Sequence, residues 1–228
     1  MRYVLFDIDG TLIDSGGAGM RSLNLAFKEV FSVSDAFVAI PMAGKTDLQI
    51  VTEALRMHDI DSSNGNMPGF FECYIKHLKN AIHNTKGHIK PGIRQALELL
   101  QAQDDIVLGL LTGNIELGAM VKLEAFGLAE FFETGAYGDR DPDRNKLLPI
   151  AVENLRDKKG IEIDYSQCIV IGDTPRDVEC SKPYGAYTIA VATGPYSYDE
   201  LSSTGAGAVL HDLSDTANFL HIVHDRLK

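Results

Sequence analysis

Cysteine is scarce in this 228-residue chain. There are three, Cys73, Cys168 and Cys180, widely spaced and odd in number, with no Cys-x-x-Cys pair. That argues against a disulfide framework or a zinc ribbon. No apolar run approaches the ~18 residues a membrane-spanning helix needs. Asp7 and Asp9 stand where a secretion signal would carry its apolar stretch, so the expected location is cytoplasmic. Basic residues are also in deficit: 21 Lys and Arg against 32 Asp and Glu leave a formal net charge of −11. Nucleic acid and anionic membrane surfaces, which are bound through Lys and Arg, are therefore poor partners. A small anionic ligand remains possible if a divalent cation, a helix N-terminus or a few placed basic residues reverse the local field.

What is present is ordinary globular composition, 45% apolar and 23% charged, which excludes disorder, collagen and coiled coil for the whole chain. Short apolar runs read as buried parallel strands: Tyr3–Phe6, Ile106–Leu111, Phe131–Tyr137, Cys168–Ile171, Tyr187–Val191 and Ala208–Leu210. Helical periodicity fills the gaps at Ile93–Leu100, Leu117–Phe126, Leu147–Leu155 and Val178–Tyr184. Strand and helix alternate from residue 92 onward, which predicts a doubly wound α/β fold with a parallel sheet. Residues 16–88 break the alternation with three helical stretches, Met20–Phe31, Leu48–Met57 and Phe70–Ile82. They read as a helical cap inserted after the first strand, bounded by Gly16-Gly17 and the segment from Asn84 to Gly92. The core is then 1–15 and 89–228, and the cap 16–88.

Three strand ends carry chemistry. Asp7-Ile8-Asp9-Gly10-Thr11-Leu12 puts two carboxylates at the C-terminal end of the first strand, the edge where open α/β sheets bind ligands. Two such carboxylates repel unless a cation sits between them or one stays protonated. Leu111-Thr112-Gly113-Asn114 offers a hydroxyl and successive backbone N–H groups at a helix start, suited to an oxyanion or to simple N-capping. Gly172-Asp173-Thr174-Pro175-Arg176-Asp177 places two acids at i and i+4 entering a helix. Hard oxygen donors there suit Mg2+, and an acidic first turn also suits the helix dipole. Arg140, Arg144 and Lys146 lie in a charged loop after the third strand.

In this order the motifs resemble the haloacid dehalogenase-like superfamily on its phosphatase side, over the whole chain. The inserted helices, with Ala43-Gly44-Lys45-Thr46-Asp47, are similar to the cap of the phosphoglycolate phosphatase and β-phosphoglucomutase branch. The resemblance implies a Rossmann-like core and Mg2+-dependent hydrolysis of a small phosphorylated metabolite, phosphoglycolate-like or a sugar phosphate, through an aspartyl-phosphate. It implies Asp7 as nucleophile and Asp9 as general acid/base. Thr112, Gly113 and Asn114 would bind the phosphoryl group. Asp7, Asp173 and the Asp9 carbonyl would hold Mg2+, with Asp177 supporting it. Lys45 and Thr46 would reach the substrate from the cap; the same residues also read as a helix start with Thr46 or Asp47 as its N-cap. The family's third motif is a Lys followed by Pro, which the loop lacks. Arg144 and Lys146 both stand near its place.

Two other readings use the same residues. A phosphomutase of this branch would return the phosphoryl group to a sugar, and a phospho-acceptor or binding protein would not turn over. His221 and His224 read as part of a solvated terminal helix, and Cys180 as a buried structural thiol. Nothing in the sequence fixes the oligomeric state.

Overall fold

The computed structural model describes residues 1–61 and 67–225. Residues 62–66, in the expected cap, and 226–228, in the expected core, lie outside them. Strand β1 (Arg2–Phe6) is buried along its whole length and forms the middle of the sheet. It pairs in parallel with β4 (Ile106–Leu111) on one side and β6 (Cys168–Gly172) on the other. β5 (Thr134–Ala136) extends the first flank, and β7 (Tyr187–Val191) and β8 (Ala208–Leu210) extend the second. The order is β5-β4-β1-β6-β7-β8, and every neighbouring pair is parallel. The chain runs outward from β1 through β4 to β5, then crosses back to β6. That reversal opens a crevice beyond the strands' C-terminal ends.

Alternation along β1 shows why both faces are covered. Val4 and Phe6 pack against Ile93, Leu97 and Leu100 of α4 (Ile93–Gln101) and Leu123 of α5 (Glu116–Ala125). Tyr3 and Leu5 point the other way, against Leu147, Leu148 and Leu155 of α6 (Leu147–Lys159) and Cys180 of α7 (Pro175–Ser181).

The inserted segment forms α1 (Ala18–Phe31), α2 (Asp47–Met57) and α3 (Met67–Ala81). Their apolar stripes make a separate cluster around Phe27, which meets the rings of Phe31, Phe37 and Phe70. The cluster also reaches Ile115 and packs against Val121 and Ala125 of α5. Where the chain leaves and re-enters the core, β2 (Ile13–Asp14) pairs antiparallel with β3 (His88–Ile89). Asn84 ties the two crossings together. Its amide donates to the Ser15 and Ala81 carbonyls, and its oxygen accepts from the N–H groups of Lys86 and Gly87.

Two expectations needed trimming. The run 131–137 contributes only Thr134–Ala136 as strand, because residues 129–131 form a 3-10 turn that buries Phe131. The helix expected over 178–184 begins earlier, at Pro175, and gives way to a 3-10 turn at Lys182–Tyr184. Pro183 has no N–H for the α-helical ladder. The chain closes with α8 (Tyr198–Ser202) and α9 (Thr216–Asp225). The latter buries Phe219 and Val223, so it is a packed helix rather than a solvated one. Among the described residues no helix is long and apolar enough to cross a membrane.

Candidate active site

β1 ends in a sharp turn that fixes both acids of the first motif. The Asp7 N–H still donates to the Ile171 carbonyl at 2.9 Å, so this residue remains on the edge of the β1–β6 ladder. The chain then turns through Gly10 at φ 87, and the Leu12 and Ile13 N–H groups return to the Ile8 carbonyl. A side chain at Gly10 would strike the Asp173 carboxylate. Asp173 follows β6, is buried, and accepts a hydrogen bond at 3.0 Å from the Thr11 hydroxyl. Neighbouring parallel strands thus bring Asp7 and Asp173 together.

Asp7, Asp173 and Asp177 are buried, and their carboxylates lie within 4.8 Å of one another. Burial raises the pKa of Asp7, and Arg144 only partly opposes it. Asp173 is pushed well above the usual carboxylate range by burial and then by its charged neighbours Asp7 and Asp177. Packed oxygen donors with this unmet repulsion fit a hard divalent cation. Asp177 differs from the other two. Its Oδ2 accepts from the Thr174 N–H and hydroxyl in a capping box at the start of α7, and its Oδ1 meets Arg144 Nη2 at 2.5 Å.

The charged loop divides its cations. Arg144 begins a 3-10 turn capped by Asp143, and Lys146 ends it. Residues two apart on such a turn project roughly 240° apart. Arg144 is buried, 3.4 Å from Asp7 Oδ1 as well as bridged to Asp177. Burial works against its charge, but Asp177 and Asp7 outweigh that and hold it protonated. Lys146 points to solvent and pairs with Asp141 at 2.9 Å, so the structure does not bring it to the site.

β4 delivers the second motif. The Thr112 N–H bonds the Ala136 carbonyl, and its fully buried side chain accepts at 2.9 Å from Asn114 Nδ2. Gly113 and Asn114 line the cavity in front of it. The inserted segment docks on this turn. The Asp47 N–H donates to the Gly113 carbonyl at 2.7 Å, and Asp47 Oδ2 accepts from the Ile115 N–H at the start of α5. A side chain on Gly113 would collide with the Lys45 carbonyl. Thr46 is a clasp: it caps α2 by accepting from the Gln49 N–H and donates to the Pro142 carbonyl in the loop after β5. Lys45 lines the cavity but is already paired with Glu53 at 2.5 Å. The cavity holds about 530 Å³. Its floor is Asp7, Asp9, Arg144 and Asp173, and its cap side is Met20, Leu23, Met42, Ile50 and Tyr74.

A sequence profile of haloacid dehalogenase-like hydrolases matches residues 4–191. The chain belongs to that family. It is 30% identical over 226 residues to a phosphoglycolate phosphatase of Rhodospirillum rubrum, covering 96% of this chain and 90% of the relative. A phosphoglycolate phosphatase of Vibrio cholerae is 27% identical, covering 88% of both chains. In fold it resembles a hydrolase from Pseudomonas syringae, with a TM-score of 0.70, 22% identity, and 98% of this chain and 99% of the other covered.

One buried charge escaped the reading of the haloacid dehalogenase-like motifs. Lys122 of α5 bonds Asp9 Oδ2 at 2.5 Å and Asn114 Oδ1 at 2.6 Å. Burial opposes ionisation of Asp9, but Lys122 and Asn114 outweigh it and hold this carboxyl below the usual range. A signal existed: Lys122 falls in the buried stripe Gly118, Ala119, Lys122, Leu123, where a lysine has no place without a partner.

Proposed function

We propose that the protein is a Mg2+-dependent phosphatase that hydrolyses a small phosphate monoester, phosphoglycolate-like or a sugar phosphate, with residues 16–88 acting as the cap over its site. The observation that carries this reading is the buried pair Asp7 and Asp173 with the Arg144 guanidinium beside it, on the floor of a cavity of about 530 Å³. Membership of the family and the phosphoglycolate phosphatases among its relatives support it. The three free, buried cysteines agree with a reducing cytoplasm.

In the first step an Asp7 oxygen attacks phosphorus in line while the bond to the leaving oxygen breaks. For this step Asp9 must carry a proton, against the pull of Lys122 and Asn114 toward the carboxylate, and it hands that proton to the leaving oxygen. In the second step water attacks the phosphorus, Asp9 takes the water's proton, and the bond to Asp7 breaks to release phosphate. Arg144 offsets charge on the phosphoryl oxygens, and the Thr112-Gly113-Asn114 turn supplies donors to them. Asp7, Asp173 and the Asp9 carbonyl, with Asp177 behind them, would hold Mg2+, which would supply further charge neutralisation and relieve the repulsion between the carboxylates.

The test is a screen of phosphorylated metabolites, phosphoglycolate and hexose phosphates included, in Mg2+ and in EDTA. The expected result is free phosphate in Mg2+, none in EDTA and none from Asp7→Asn. Isomerised sugar phosphate would assign a phosphomutase instead. Stable phosphorylation of Asp7 without turnover would assign a phospho-acceptor.

A further inference from the structure

Lys122 has no role in the steps above, yet it is a buried ammonium in contact with the acid/base. An ammonium can only donate and a carboxylate can only accept. That settles the Asn114 amide between them: its oxygen faces Lys122 and its nitrogen faces Asp9, 2.6 Å and 2.9 Å away. Lys122, Asn114 and Asp9 form a closed triangle in which two donors converge on the same Asp9 oxygen, Oδ2. Asn114 Nδ2 also reaches Thr112 Oγ1. Ser15 also hydrogen-bonds the Asp9 carboxylate, whose side chain is otherwise two-fifths exposed at the cavity. The lysine comes from α5, the core helix against which the cap packs, and its ammonium lies beside Gly19 of α1.

We propose that Lys122 is a positioning residue of the reaction, holding Asp9 through Oδ2 and orienting Asn114 so that the acid/base stays over the nucleophile Asp7. This rests on the phosphatase reading. A long, flexible cation suits the task. A hydroxyl can turn to donate or accept as its partner gains and loses a proton, whereas an ammonium keeps donating to Oδ2 through both steps. Loss of the ammonium leaves the residue's aliphatic packing intact if methionine replaces it, so the charge can be tested apart from the volume.

The experiment compares the parent, Lys122→Met and Lys122→Arg in Mg2+ on two probes, phosphoglycolate and 4-nitrophenyl phosphate. Here kcat/KM reports the steps through phosphoryl transfer. A misplaced acid should hurt the alkyl ester most, because nitrophenolate leaves without a proton. Lys122→Met should lower kcat/KM on phosphoglycolate by about tenfold to a hundredfold, inside the ~10²–10⁴ that a placed acid/base supplies. The fall on 4-nitrophenyl phosphate should be several-fold smaller, and Lys122→Arg should recover part of the loss. Equal losses on both esters, or values within twofold of the parent, would overturn the proposal while leaving the phosphatase reading intact. A parent that releases phosphate from no ester in the metabolite screen overturns both.

Discussion

Arg144 and Lys146 stand two residues apart in one loop, and a single turn gives them opposite fates. Arg144 sits between two buried carboxylates. Removing one partner of such a group strands the other, at a cost of about 3–5 kcal/mol. Arg144→Met should therefore lose activity in phosphate-release assays and also lower the urea midpoint at constant slope. Lys146→Ala should leave turnover within twofold and stability within about 0.5 kcal/mol, since exposed pairs contribute little. The same contrast marks what the sequence could show at this level. The convergence of Asp7, Asp9 and Asp173 on one cavity was legible because all three follow strand ends of one parallel sheet. Arg144 against Lys146 was not, because the direction of a side chain on a short turn depends on its tertiary cap. Lys122 was missed because its chemistry depends on an acid 113 residues away.

The segment from Lys45 to Asp47 ties the inserted helices to the turn after β4, and Asp47 is its most sensitive group. Burial pushes this carboxyl up to about 6, while Lys122 and the Ile115 N–H only partly oppose the shift. A carboxyl whose folded pKa is raised binds its proton more tightly in the native state than in the unfolded chain. Its contribution to stability is full below the unfolded pKa, falls as pH rises toward about 6, and is lost above that. Asp47→Asn should therefore gain on the parent across that window, by up to about 3 kcal/mol at pH 8, read as the difference in unfolding free energy at pH 4 and pH 8. Gly113→Ala should obstruct the same junction, because its Cβ meets the Lys45 carbonyl, and should raise KM while the isolated core strands stay intact by circular dichroism. Among the elements, the six core strands and the main helices were readable from apolar runs and 3.6-residue periodicity. The β2–β3 ribbon was not, since two residues a strand carry no periodicity. Thr46 was read either as a substrate contact or as a helix cap, and the structure shows its hydroxyl capping α2 and bonding the Pro142 carbonyl.

The molecule as a whole carries −11, and its candidate site gathers three buried acids whose repulsion a divalent cation would relieve. A ligand that binds only the folded form raises its stability, by about 2.7 kcal/mol at a hundred times its Kd. Mg2+ should therefore raise the melting temperature of the parent and leave that of Asp173→Asn nearly unchanged. The central claim is that the phosphoryl group passes through Asp7, and the most direct measurement is to trap it there. The protein is mixed with 4-nitrophenyl phosphate in Mg2+, quenched in acid within one turnover, and mapped by peptide mass spectrometry. One phosphoryl group is expected on the peptide containing Asp7, absent in EDTA and in Asp7→Asn. Phosphate release with no modified peptide in the parent, or full activity in Asp7→Asn, would contradict it.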